Sequence, residues 1–196
     1  MIEAQDRDAT PSAEATICLA RVVRDGDLKL NAWDDAVEQW IERVNFLARA
    51  VPDQGLPALG PEEREYIVHL ACEGATSYRE IKDRPILPLA RSLLEPAQQH
   101  FVDRHAPERY ELPGGRRAKI TYGTDAGPTL AARIQDLYGV EEDLKIALGR
   151  VPLTIQVLAP NHRPVQVTRS LKTFWAEAYP KLKQQLQRQY PKHEWR

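Results

Sequence analysis

The apolar residues of the first hundred positions recur at three- and four-residue steps, the spacing of one face of an α-helix. The clearest such segment, 33–48, places seven residues on one face: Trp33, Val37, Trp40, Ile41, Val44, Leu47 and Ala48. Asn31 is the predicted N-cap of this helix. Asp34 and Asp35 fall in its first turn, where the helix dipole favours carboxylates. We expect the helix to end before Pro52.

Four more helical segments are predicted in the same part of the chain. The first begins at Pro11, which suits a first helical turn, and ends at a turn over residues 25–27. The others are set by apolar spacing and by proline and glycine positions: one from Pro61 to Gly74, one over 77–83, and one over 85–105 with breaks at Pro88 and Pro96.

After Pro107 the apolar period changes from about 3.6 to 2, which indicates β-strands. The predicted strands are 109–112 and 117–122 around the Gly114–Gly115 turn, 129–134, and the pair 151–158 and 164–168. Residues 140–149 are predicted to be a connecting loop. Ser170 is the predicted cap of a final helix that runs to Arg188 with a kink at Pro180.

Side-chain alternation assigns faces to the last strand pair. Over residues 151–158 the buried face is predicted to hold Val151, Leu153, Ile155 and Val157. On the next strand, alternation is predicted to send Val165 and Val167 inward, and Gln166 and Thr168 outward.

These elements together predict an α+β fold in three parts. Residues 1–10 form a disordered leader, residues 11–106 a helical subdomain, and residues 107–196 a β-rich domain. In the β-rich domain a small antiparallel sheet is closed by the C-terminal helix.

Charge is distributed unevenly along the chain. The 27 basic and 28 acidic residues nearly cancel overall, yet residues 1–100 carry eleven basic and eighteen acidic side chains, and residues 101–196 sixteen and ten. From Lys145 to Arg196 ten basic residues accompany only Glu177 and Glu194. One-sided positive charge suits a surface that contacts phosphates, because each contact releases counterions. A solvated basic helix is an equally good reading of the charge alone.

Composition excludes several protein classes. No apolar run approaches the roughly 20 residues that span a membrane. The acidic, polar N-terminus lacks the basic and apolar regions of a signal peptide. Cys18 and Cys72 lie in helical patterns, which predicts reduced thiols of a cytoplasmic protein and not a disulfide or a metal pair.

The motifs of catalysis are missing from the sequence. The five histidines form neither HExxH nor an HxH pair, no CxxC occurs, and Ser170 has no GxSxG around it. Neither a GxxxxGK[ST] phosphate loop nor a DEAH or DExH box is present, although ATP hydrolysis requires both. The sequence therefore predicts no metal site and no catalysis by this chain, and it disfavours a small enzyme.

Five segments of the C-terminal half carry a family resemblance. They read GRRAKITY (115–122), PTLAARIQDLYG (128–139), GRVPLTIQVLAP (149–160), RPVQVTRSLKTFW (163–175) and YPKHEW (190–195). Together they resemble the C-terminal region of bacterial HrpB-type ATP-dependent RNA helicases, which are DEAH-box-related. The resemblance extends more weakly to residues 33–47 and the helix before them, so it covers residues 11–196.

The resemblance implies an oligonucleotide/oligosaccharide-binding (OB)-like barrel for the β part. It also implies an accessory region of a helicase, which contributes nucleic-acid binding and docking to motor domains in cis or trans. ATP and Mg²⁺ would belong to those motor domains, and no cofactor is expected in this chain. The alternative is a protein-interaction module that docks on a partner without contacting nucleic acid.

If the β region contacts single-stranded RNA, polar residues around its two hairpins are the candidates. They are Arg116, Arg117, Lys119 and Tyr122 at the first hairpin, with Tyr110 as a second stacking group, and His162, Arg163, Gln166 and Arg169 at the second. Small barrels bind single strands with cations along the phosphates and flat groups under the bases. Alternatively, these residues form salt bridges that protect strand edges.

Overall fold

The computed structural model describes residues 10–113 and 115–196, and these divide into two units. The first unit comprises the described residues up to Ile41 together with Pro57–Glu95, and the second comprises Glu42–Leu56 and Pro96–Arg196. The predicted leader lies outside the described residues except for Thr10. The last helix before the sheet groups with the strands, whereas the boundary predicted from periodicity follows it at residue 106.

The first unit is helical, as the apolar spacing predicts. Its helices are α1 (Ala13–Arg24), the first half of α2 (Asp35–Ala50), α3 (Pro61–Cys72), α4 (Tyr78–Ile81) and α5 (Leu87–Arg91). The Ser12 hydroxyl caps α1 by accepting from the Ala15 N–H at 3.1 Å. Pro88 does not interrupt α5, because it occupies the second position of this helix, where the backbone N–H has no partner within the helix. The core contains Val37, Trp40, Ile41, Ile67, Ala71, Cys72, Ile81, Ile86 and Ala90.

The N-cap predicted for α2 was wrong by three residues. Asp34 performs this role, because its Oδ1 accepts from the backbone N–H groups of Ala36 at 3.0 Å and Val37 at 3.3 Å. The Asn31 amide instead donates to Asp83 at 2.7 Å. Asn and Asp are both favourable N-cap residues. The hydrogen bond to Asp83, on a distant segment of the chain, holds the Asn31 side chain away from the start of α2.

The second unit combines α6 (Pro96–His105) with a five-stranded sheet. In chain order the strands are β1 (Arg109–Glu111), β2 (Arg117–Thr121), β3 (Thr129–Arg133), β4 (Lys145–Ile146), β5 (Val151–Pro152), β6 (Thr154–Leu158) and β7 (Pro164–Thr168). The large sheet has the order β1-β2-β3-β6-β7, and β4 pairs with β5 separately. Both predicted hairpins, β1–β2 and β6–β7, are confirmed.

The central strand pair differs from the predicted antiparallel sheet. β3 and β6 run parallel, with Leu130 opposite Ile155. Parallel pairing requires a long crossover, and the segment between these strands provides it. The predicted loop at 140–149 contains β4, and the strand predicted over 151–158 is divided at Leu153 between two sheets. The described strands leave edges at β1 and β7, so the expected OB-like barrel is not confirmed.

The second half of α2 belongs to this unit and anchors it through Arg43, whose residue exposure is 2%. The Arg43 guanidinium donates to the Ala106 carbonyl at 2.6 Å, to Asp103 at 2.7 Å and to Glu108 at 3.2 Å. Its three partners come from the end of α6 and the chain leading into β1. A buried arginine is thereby satisfied by one carbonyl and two carboxylates.

The C-terminal helix forms as predicted but is interrupted. The Ser170 hydroxyl accepts from the Thr173 N–H and caps α7 (Leu171–Thr173). A π-helical turn follows over Phe174–Ala178, and α8 covers Tyr179–Gln189. Pro180 stands at the start of α8, so its missing N–H falls at the irregular turn.

We expect Arg43→Met to lower the free energy of unfolding by about 1–3 kcal/mol, because the buried Ala106 carbonyl loses its donor, whereas the carboxylates of Asp103 and Glu108 are exposed and regain contact with water. Arg43→Lys will recover only part of the loss, since one ammonium cannot replace the three-pronged guanidinium. Urea unfolding followed by circular dichroism measures both effects.

The matched control is Arg150→Met. Arg150 also holds a carboxylate, Asp53 at 2.6 Å, but both side chains are about half exposed. Its replacement will leave the urea midpoint nearly unchanged. Equal losses in the two variants would contradict the anchoring role of Arg43.

Candidate nucleic-acid interface

The large sheet has one buried and one exposed face. Alternation places on the buried face Ile120, Leu130, Ala132, Ile155 and Val157, each at most 4% exposed. The opposite face is here called the open face; its solvent-accessible residues are Arg109, Glu111, Arg117, Lys119, Thr121, Ala131 and Val167, with Arg133 and Gln156 half-buried. Long polar side chains on this face are therefore held by rigid strands and directed to solvent.

Two cations stand directly opposite each other on the open face. Arg109 of β1 is the cross-strand partner of Lys119 on β2. Within the described part of the chain neither side chain forms an ion pair, and the one side-chain hydrogen bond of Arg109 is a 3.4 Å contact with the Arg117 carbonyl. Like charges at opposing positions destabilise a sheet. This pair is the least compensated positive charge on the open face.

At the next cross-strand position of the open face, positive charge is compensated by a carboxylate. Arg117 lies opposite Glu111, and Arg133 binds the Asp136 carboxylate at 3.1 Å and 3.2 Å. The hydrogen bonds that the Arg133 guanidinium donates to Asp136 raise the pKa of this guanidinium. Arg116, a predicted RNA contact, also pairs with Asp136, at 3.0 Å, although its side chain is 59% exposed. One carboxylate thus engages two arginines.

Arg169, another predicted contact, fastens the sheet to a loop. Its Nη2 donates to the Ala126 carbonyl at 3.0 Å and its Nε to the Thr154 hydroxyl at 3.3 Å. Arg169 lies one residue beyond β7, as the sequence required for it to reach solvent. It remains exposed, but its donors are partly engaged by the protein.

The β6–β7 turn carries the remaining predicted contacts. His162 adopts a left-handed backbone conformation with φ 65°, and its N–H donates to the Ala159 carbonyl at 2.9 Å. The Arg163 side chain is exposed, and its backbone N–H donates to the Asn161 side chain. The structure does not place these two residues in the strand rows of the open face.

The face assignment predicted for β7 was wrong for Val167, whereas Gln166, a predicted RNA contact, is exposed as predicted. Gln166 lies opposite the buried Val157, whereas Val167 lies opposite Gln156 on the open face and is 56% exposed. A register shift at Val157/Leu158 accompanies this pairing. Because β7 is an edge strand, its apolar residues do not have to face the core, and the spacing alone cannot assign their direction.

Neither predicted tyrosine lies on the open face. Tyr122 is 2% exposed, its ring centroid lies 5.5 Å from that of Phe46, and its hydroxyl donates to the Pro107 carbonyl at 2.8 Å. Burial raises the pKa of the Tyr122 phenol well above its usual value. Tyr110 is opposite Ala118, which places it on the other face. In the five strands of the large sheet, no described aromatic residue occupies an open-face position.

The open face also contains residues that sequence reasoning missed. Arg109 and Gln156 were not predicted as contacts, although both positions could have been found by extending the alternation of Arg117 and Lys119 to neighbouring strands. Residues 10–113 and 115–196 hold no group of three His, Cys, Asp or Glu side chains arranged to bind a metal. No described helix is long and apolar enough to cross a membrane.

Residues 68–196, which include every described strand, match the HrpB_C family, described as "ATP-dependent helicase C-terminal". The chain belongs to this family. The resemblance read from the C-terminal motifs is thereby confirmed.

Individual relatives of the HrpB_C family support the same assignment. The "ATP-dependent RNA helicase HrpB" of Escherichia coli strain K12 is 35% identical over 179 residues, which cover 88% of the chain and 22% of the relative. The crystal structure of the E. coli DExH-box NTPase HrpB has 32% identity and a TM-score of 0.85, covering 96% of the chain and 24% of that protein.

A second crystal structure, of the E. coli DEAH/RHA helicase HrpB, has 30% identity and a TM-score of 0.76, covering 98% of the chain and 25% of that protein. The chain therefore spans about a quarter of the length of these relatives. Its cytoplasmic location stays a prediction.

The opposed cations of the open face give a stability test that requires no ligand. We expect Lys119→Glu to raise the free energy of unfolding by about 0.2–1 kcal/mol, because it replaces repulsion from Arg109 by attraction. Urea unfolding at low salt measures the gain. The gain will shrink in 0.5 M NaCl because salt screens exposed charges, and the Debye length approaches the 3 Å that it reaches at about 1 M salt.

Arg117→Glu is the matched control, since Arg117 faces Glu111 and its reversal creates a like-charged pair. We expect this variant to lose stability under the same conditions. Loss of stability in both variants would show that Lys119 has a compensating partner.

Proposed function

We propose that the chain is an accessory region of an ATP-dependent RNA helicase and that its open face binds the phosphate backbone of single-stranded RNA. The observation that carries the proposal is the opposed pair Arg109 and Lys119, which stands on rigid strands without a carboxylate partner among the described residues. A phosphate between the two side chains would offset their repulsion. RNA is chosen because the 35% identical relative is named an RNA helicase.

The composition of the open face favours contacts with phosphate and sugar over contacts with bases. Arg109, Arg117 and Lys119 supply positive charge, and Thr121 and Gln156 supply hydrogen-bonding groups. Base stacking depends on flat aromatic side chains, which the described open-face positions lack. Backbone contacts are independent of sequence. We therefore expect similar affinities for oligouridine and oligoadenine.

Docking to motor domains is the second part of the proposal. The chain spans about a quarter of the length of its relatives, and the "DExH-box NTPase" named among them requires phosphate-binding motifs that this sequence lacks. Motor domains in the same protein or in a partner would hold ATP and Mg²⁺. A module that only docks on protein and binds no nucleic acid is the alternative.

We expect Arg109→Glu combined with Lys119→Glu to weaken binding of a fluorescein-labelled 16-mer of oligouridine by about tenfold or more at low salt. Two lost phosphate contacts will also reduce the slope of log K against log salt by about 1.4, since each contact with a single strand contributes about 0.7. Fluorescence anisotropy at several NaCl concentrations gives both values.

The control is a double reversal on the basic helix α8, Lys181→Glu with Arg188→Glu. Both residues are exposed, as are the two targets. We expect this variant to bind with nearly the wild-type affinity apart from a small change due to net charge. A larger loss of RNA affinity in the α8 variant than in the open-face variant would indicate that the helix contacts the RNA. No RNA binding by the wild type at low salt would support the docking alternative.

We expect the purified chain to hydrolyse no ATP, with or without RNA, because its sequence contains neither a phosphate loop nor a DExH box. A coupled assay for released phosphate measures this. RNA-stimulated turnover that persists through repurification would show that the chain contains a nucleotide site of another kind.

A further inference from the structure

An apolar groove lies within the first unit. Its volume is about 710 Å³, and it is lined by α1, α3 and the segment after α1. The apolar lining residues include Ile17, Val23, Leu28, Leu30, Trp33 and Val68. A groove of this volume and composition has the characteristics of a binding site on a soluble domain.

Ile17 is the most exposed apolar residue of this lining. It is 60% exposed, although the adjacent Thr16 is only 4% exposed. A single exposed isoleucine is ordinary on a protein surface, but here it continues the apolar surface of a concave groove. Contact with a partner would remove this surface from water.

The length of the groove suits a short helix. On α1 the lining positions Ile17, Ala20, Arg21 and Arg24 recur at three- and four-residue steps, so they form one stripe along the helix. This stripe extends over about two turns, or about 10 Å. An amphipathic helix that presents residues i, i+3, i+4 and i+7 matches such a stripe.

The rim of the groove selects the charge of the partner. Arg21, Arg24, Lys29 and Arg64 line it, against one carboxylate, Glu65. Arg64 binds Glu38 at 2.7 Å and Arg24 contacts Asp25 at 3.3 Å. Within residues 10–113 and 115–196, the Arg21 and Lys29 side chains form no ion pair. Acidic side chains beside an apolar helical face would find complementary charge here.

We propose that this groove binds an amphipathic protein helix whose apolar face is flanked by Asp and Glu. The site lies wholly in the first unit and does not depend on RNA binding by the open face. The helix supplies apolar side chains to the space beside Ile17 and Val68, and its carboxylates pair with Arg21 and Lys29.

The probes are two fluorescein-labelled helical peptides of about 16 residues, long enough to be helical in part. Both carry leucine at i, i+3, i+4 and i+7; one has Glu at the flanking positions and the other has Lys. We expect the acidic peptide to bind the full chain at least tenfold more tightly than the basic one by fluorescence anisotropy in 0.1 M NaCl, where the Debye length is about 10 Å.

Ile17→Asp is expected to weaken binding of the acidic peptide at least tenfold. The matched control is Leu148→Asp, an exposed leucine of the second unit that is 44% exposed, and we expect unchanged binding there. Circular dichroism verifies that both variants are folded. Unchanged binding by folded Ile17→Asp would overturn the proposal.

A charge exchange tests the same site without altering its apolar lining. Arg21→Glu with Lys29→Glu is expected to reverse the preference toward the basic peptide, whereas Arg79→Glu, an exposed arginine of α4, leaves it unchanged. Equal affinity of the wild type for both peptides would overturn the proposal. A dimer of the chain that Ile17→Asp converts to monomer in sedimentation experiments would assign the groove to a second copy instead.

Discussion

The buried guanidinium of Arg43 is the interaction on which the second unit depends. It binds the Ala106 carbonyl and the carboxylates of Asp103 and Glu108, and so fixes the point where α6 ends and β1 begins. The Glu108 carbonyl in turn accepts from the Ile120 N–H at 2.9 Å, which connects this anchor to β2. Ile120 itself lies on the buried side of the sheet, and the opposite side is open to solvent.

Arginines of the second unit have two different roles, and their partners decide which. Arg116 and Arg169 were both predicted to contact RNA, yet each donates to oxygen atoms of the protein itself. Arg109 stands opposite Lys119 without a carboxylate partner among the described residues, and its one side-chain hydrogen bond is the 3.4 Å contact with the Arg117 carbonyl. A cationic side chain without a carboxylate partner in the protein is available to bind an anionic ligand. Its attachment to a rigid strand limits the conformational entropy lost on binding.

The two proposed surfaces have different chemistry and can be tested separately. The open face offers positive charge on a flat sheet, which suits phosphates, whereas the groove beside Ile17 offers apolar area with a cationic rim, which suits an acidic helix. The first surface lies entirely in the second unit and the other entirely in the first. Substitutions in one surface are therefore controls for the other. An accessory region with both surfaces could bind RNA and a protein partner through separate contacts.

The sequence by itself determined the helices, both hairpins and the family, because each follows from residue periodicity or from motifs with fixed spacing. The burial of Trp40 in α2 follows from the same local spacing. Only the tertiary structure decided the parallel pairing of β3 with β6, the burial of Tyr122, the exposure of Val167 and the engagement of Arg169. These depend on which distant segments meet. Apolar spacing specifies that a strand or helix has a face, but the neighbours brought together by folding decide what that face contacts.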